Sequence, residues 1–214
     1  PAALLRHTGA AALAVAGSAG LFAAIGAEPA RGELPFPAEA LRTVHPAPEL
    51  ALTNQAGELV ELSALRGKVV VVTAVYASCP HTCPLILAQT KRAVEELADE
   101  ELADLRVVAV TLDPEHDSPE VLSELARLQG LETPLYNLVT GEPAEVERVL
   151  DRMGVARQRN PETGVIDHAN LFLVLDRNGA VAYRFGLGER QARWLVSALR
   201  VLLRETPQAA SHPG

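Results

Sequence analysis

The chain has 214 residues, enough for one globular domain with appendages. It is 48% hydrophobic and 21% charged, which excludes disorder over the whole length. Lysine and arginine total 19 against 27 acidic residues, a net charge of −8, and no basic run offsets it, which argues against a nucleic-acid partner.

Residues 8–27 carry no charge. As a helix they would be about 30 Å long, the thickness of a bilayer core. The larger apolar members are Leu13, Val15, Leu21, Phe22 and Ile25, set among Ala and Gly. Arg6 before the segment and Glu28 after it favour a cytoplasmic N-terminus. Length favours a membrane anchor over residues 1–27, and Ala richness a cleaved signal segment; a soluble Ala-rich helix is the third reading. Residues 28–48 contain Pro29, Pro35, Pro37, Pro46 and Pro48, a spacing that resists regular structure and reads as an extended linker.

Residues 49–205 are patterned as one domain. Residues 50–53 and 59–62 flank Asn54-Gln55-Ala56-Gly57 and predict a hairpin. Residues 68–76, KVVVVTAVY, are a β-branched run that predicts a central strand buried on both faces. A helix is expected over 84–100 and a buried strand over 105–112. Ser118 and Pro119 suit the start of a helix to residue 128. A short strand over 135–139 and a helix over 143–153 follow. Residues 170–175 and 180–185 flank Asp176-Arg177-Asn178-Gly179, a second hairpin, and 189–204 is the last helix. The tail, 206–214, has turn-like composition. Strands alternating with helices predict an α/β fold with a mixed sheet covered on both faces. Cysteines where the first central strand meets its helix fit a thioredoxin-like arrangement, since ligands in open α/β sheets collect at the carboxyl ends of strands.

The chain has only two cysteines, Cys79 and Cys83, too few for a disulfide scaffold, a four-cysteine zinc site or an iron–sulfur cluster. They stand in Cys79-Pro80-His81-Thr82-Cys83-Pro84, a C-x-x-x-C spacing. Pro84 at the first position of a helix costs nothing, whereas Pro80 there would leave Pro84 inside the helix without a hydrogen bond to donate. Cys83 is therefore expected at or near the N-cap and Cys79 in the loop before it. Backbone N–H groups and the helix dipole at that end favour thiolate. Two thiolates can converge on a soft ion such as Cu(I) or Zn, and the same pair can form a simple disulfide. If the chain is exported, close thiols oxidise unless they are reduced or metallated. His168, just before the strand over 170–175, is the best third-ligand candidate, although a lone histidine is commonly an ordinary surface residue. His81, between the thiols, is nearer in sequence and is expected to be exposed.

CPHTCP after a Val-rich strand, Asp113-Pro114-Glu115-His116-Asp117-Ser118-Pro119-Glu120, and Asp167-His168 before LFLVLDRNG together resemble the Sco/SenC family over about residues 49–203. The resemblance implies a thioredoxin-like three-layer fold with an N-terminal β-hairpin, tethered to the bacterial inner membrane facing the periplasm or exported to it. It implies copper, Cu(I) or Cu(II), held by Cys79, Cys83 and His168. The implied role is assembly of the dinuclear copper centre of cytochrome c oxidase, by metal delivery or by preparing the target's thiols. The implied partner is the subunit carrying that centre, or another periplasmic copper protein. Asp113 and Asp117 match the family's DPxxD segment; read from local chemistry they form a turn, with Asp117 or Ser118 capping the helix. His81 is a departure, since the family commonly has Asp there. An enzymatic alternative is a thiol–disulfide reductase using Cys79 and Cys83. A peroxiredoxin-like peroxidase is disfavoured, because the position three before Cys79 holds Tyr76 rather than Thr or Ser.

Overall fold

The computed structural model describes residues 35–206, and the folded unit begins at Phe36. The segment expected to be an anchor or signal, 1–27, and the tail from 207 lie outside the described residues. The first half of the unit runs α1 (Ala38–Leu41), β1 (His45–Pro46), β2 (Ala51–Asn54), β3 (Leu59–Glu61), a 3₁₀ turn, β4 (Val69–Val75), α2 (Cys83–Glu95), α3 (Asp99–Leu102) and β5 (Leu105–Thr111). The second half runs α4 (Pro119–Gln129), β6 (Tyr136–Thr140), α5 (Pro143–Met153), β7 (Arg157–Arg159), β8 (Ile166–His168), β9 (Phe172–Leu175), β10 (Ala180–Phe185) and α6 (Glu189–Arg204).

Eight strands form one mixed sheet in the order β1-β10-β9-β4-β5-β6-β2-β3. β4, β5 and β6 are parallel, with Val71 opposite Val107 and Ala109 opposite Leu138. β9 runs antiparallel to β4, and β2 antiparallel to β6. All seven residues of β4 are buried, so both faces of the sheet are covered there. α2 and α6 pack on each other and on β4; α4 lies against β6 and β2, and α5 against β5. This is the expected mixed α/β, thioredoxin-like fold.

Helix ends follow local chemistry. Ser118 Oγ accepts from Val121 N at 3.4 Å to start α4, and Gly130, at φ +63°, ends it. The helix expected over 84–100 is instead two. Glu101 accepts the Ala98 N–H at 2.9 Å, and acidic residues Asp99, Glu100 and Glu101 fill the first turn of α3. Negative charge there suits a new helix N-terminus better than the interior of α2.

The second half of the expected linker is part of the domain. Phe36 packs against Tyr183, Phe185 and Trp194, with ring centroids 5.4–6.2 Å away. Thr43 N donates to Ala182 O at 2.8 Å, β1 pairs antiparallel with β10, and Arg42 is ion-paired to Glu205 and Asp176. Prolines prevent a long element here, but tertiary partners still satisfy the backbone.

Candidate metal centre

The centre forms where β4 ends. Val75 O accepts from Leu112 N at 2.8 Å, keeping β4 and β5 together to their last residues. The chain then turns, with Cys79 N donating to Tyr76 O at 3.3 Å, and re-enters regular structure at Cys83. Thr82 is the N-cap of α2 and Pro84 lies in the first turn, as the two prolines require. Cys83 is buried, 2% exposed, whereas Cys79 is half-buried, and both are free thiols.

The sequence leaves open which cysteine the helix start favours, and the fold decides for Cys79. The Cys83 N–H points at Cys79 Sγ at 3.4 Å. Burial pushes the Cys79 thiol up, but hydrogen bonds from the Cys83 thiol, from the backbone N–H groups of Cys83 and His81, and from Tyr76 outweigh it. The net result is below the ordinary thiol value. Burial pushes Cys83 strongly the other way, and its hydrogen bond to Cys79 adds to that.

His168 comes from a hairpin outside the main sheet. β7 and β8 form their own two-stranded sheet, with His168 opposite Arg157. No periodicity in the sequence announces these strands, since each has three residues and few apolar ones. Arg159, on β7, reaches Asp113 at 2.6 Å, and Tyr76 Oη accepts from Ile166 N at 3.1 Å. The result is a His168 Nε2 lying 3.7 Å from Cys83 Sγ and 3.4 Å from Thr82 Oγ1. On the far side of the ring Nδ1 faces Ala169 O at 3.2 Å, so Nδ1 carries the proton and Nε2 keeps its lone pair toward the sulfurs. Burial holds the imidazole below its usual pKa and so favours the neutral, ligating form.

One donor atom each from Cys79, Cys83 and His168 lies within 4.8 Å of the other two, and among the described residues no other three His, Cys, Asp or Glu side chains converge in this way. Metal bonds of about 2.0–2.3 Å to thiolate and imidazole place the donors of a trigonal site about 3.5–4 Å apart. The donor set therefore fits a soft ion after small adjustments. His81 is exposed and outside this group. His45 is exposed on β1, and His116 pairs with Asp113 at 2.8 Å.

The two aspartates of the DPxxD segment do more than shape a turn. Ser118, not Asp117, caps α4. Asp117, 2% exposed, accepts from Thr111 Oγ1 at 2.6 Å and from Ala77 N at 3.1 Å, tying the start of the cysteine loop to β5. Asp113, also buried, anchors the histidine hairpin through Arg159. Tyr76, Thr82 and Arg159 are functional neighbours that no local motif in the sequence reveals.

The SCO1/SenC family model matches residues 40–204. A SCO2-like protein of Rickettsia prowazekii, RP587, is 30% identical over 141 residues, covering 64% of this chain and 67% of that protein. Among solved structures, Bradyrhizobium japonicum ScoI with copper bound has a TM-score of 0.64 at 23% identity, covering 74% of this chain and 99% of that one. BsSco, described with a disulfide switch and as one of the Sco family of cytochrome c oxidase assembly proteins, has a TM-score of 0.67 at 20% identity, with coverage of 77% and 97%. At those identities the structural likeness is one of fold.

Proposed function

The chain belongs to the SCO1/SenC family, and from that premise we propose that it is a copper metallochaperone whose cargo is held by Cys79, Cys83 and His168. The observation that carries the reading is the convergence of those three donors within 4.8 Å of one another. Two sulfurs and one imidazole suit Cu(I) and leave coordination positions open to an incoming ligand. A half-buried Cys79 lets a partner's thiol approach the ion, so that transfer runs by stepwise ligand exchange. The recipient on this reading is the subunit of cytochrome c oxidase that carries its dinuclear copper centre, or another periplasmic copper protein. The uncharged segment 8–27 supports export, with the domain at the periplasmic face of the inner membrane. Among the described residues no helix is long and apolar enough to cross a membrane.

The reduced protein is expected to take one Cu(I) in competition with a chromogenic Cu(I) chelator. Cys79→Ser and Cys83→Ser should abolish tight binding. His168→Ala should weaken it by more than about 100-fold, beyond the 10–100-fold typical of outer-shell changes. Undiminished affinity in His168→Ala removes that residue from the site.

The unequal thiols favour a second reading, reduction of a partner's disulfide. Cys79 thiolate would attack one partner sulfur, forming a mixed disulfide and releasing the other as thiolate. Cys83 thiolate would then displace the partner, leaving a Cys79–Cys83 disulfide and a reduced partner. Disulfide reductase turnover without copper binding would select this reading.

A further inference from the structure

Tyr76 is 2% exposed at the point where β4 gives way to the cysteine loop. Its hydroxyl reaches the hairpin that carries His168. It accepts a hydrogen bond from Ile166 N at 3.1 Å, and Ile166 opens the strand that ends in His168. The ring meets the His168 imidazole edge-on, with centroids 6.2 Å apart and planes at 77°.

The hairpin needs such a fastening. β7 and β8 share no ladder with the main sheet, and an isolated two-stranded hairpin is marginal in water. Point contacts hold it: Arg159 to Asp113 at 2.6 Å, Arg157 to Asp151 at 2.9 Å, and the Tyr76 hydroxyl. Of these side chains, Tyr76 is the one that also meets the His168 ring.

We propose that Tyr76 is a positioning residue whose hydroxyl ties the His168 hairpin to the cysteine loop, so that imidazole and thiols are assembled before the ion arrives. Any effect on the ion rests on the copper reading; the tether itself does not.

Tyr76→Phe keeps the ring and removes only the hydroxyl. In the reduced, metal-free protein, hydrogen exchange at the Ile166 amide is expected to be about tenfold faster in this variant, as suits one lost hydrogen bond. Tyr136→Phe, which removes the hydroxyl of a buried tyrosine in β6, should leave that amide unchanged. Because the tether assembles the imidazole beside the thiols, Tyr76→Phe should also weaken Cu(I) binding by about tenfold or more, and Tyr136→Phe should not. Accelerated exchange in a protein that binds no copper would keep the tether and overturn the copper reading instead. Unchanged exchange at Ile166 in a folded Tyr76→Phe overturns the proposal. So does an Ile166 amide that exchanges at the solvent rate in the unaltered protein, a measurement that needs no variant.

Discussion

Two cysteines of one loop differ here because a single helix begins between them. Cys83 is the first residue of α2 and faces the core, while Cys79 sits outside and receives the hydrogen bonds of the helix start. With a limiting amount of iodoacetamide at neutral pH, Cys79 is expected to be alkylated well before Cys83, as peptide mass spectrometry would show. Equal labelling would remove the asymmetry. Asp113 carries a second residue-scale consequence. Burial pushes its carboxyl up, but hydrogen bonds from Arg159 and His116 prevail and hold it below its ordinary value. In the unfolded chain it titrates near the ordinary value of about 3.9. The unfolded state therefore takes up the proton first as pH falls, so the stabilisation is full above about pH 4 and is lost through the folded value below it. Relative to Asp113→Asn, the parent protein should be more stable at pH 6, with the gap closing below about pH 4, as urea midpoints would show.

At the scale of elements, the centre depends on pieces too short to stand alone. β7 and β8 have three residues each, and α3 has four. Their order comes from partners elsewhere in the chain, such as Asp113 for the hairpin. The longer elements carry their own stop signals. Gly154, at φ +73°, ends α5, and a Cβ added there would also lie 3.6 Å from the Arg184 guanidinium that bonds Met153 O. Gly154→Ala is expected to cost about 1 kcal/mol, seen as a lower urea midpoint with an unchanged slope. Copper binding should survive that change, because the Gly154 turn contributes no donor atom to the centre.

At the scale of the molecule, the domain extends beyond its predicted start. Residues 36–48 cover one edge of the sheet through Phe36, Thr43 and β1. A chain starting at Glu49 would leave Tyr183, Phe185 and Trp194 without Phe36, and would open β10 as a sheet edge. Such a chain should melt several degrees lower than one starting at residue 35 and bind more of a hydrophobic dye. Matching melting curves would return the segment to the status of a free linker.

Periodicity and punctuation in the sequence determined the central strands, the hairpins β2–β3 and β9–β10, and the helices α4, α5 and α6. Those signals are local: a β-branched run buried on both faces, an Asn-Gly turn, a Ser-Pro start. Pro80 and Pro84 also placed the start of α2 to within one residue, through the limits proline sets on a helix. Only tertiary structure decided how the residues of the centre come together. His168 reaches Cys83 across 85 positions, Tyr76 reaches Ile166 across 90, and Arg159 reaches Asp113 across 46. No window of neighbouring residues contains such pairs. They exist because the parallel strands bring their carboxyl ends to one side and the hairpin folds over that end, so the donor set is a property of the sheet rather than of any segment.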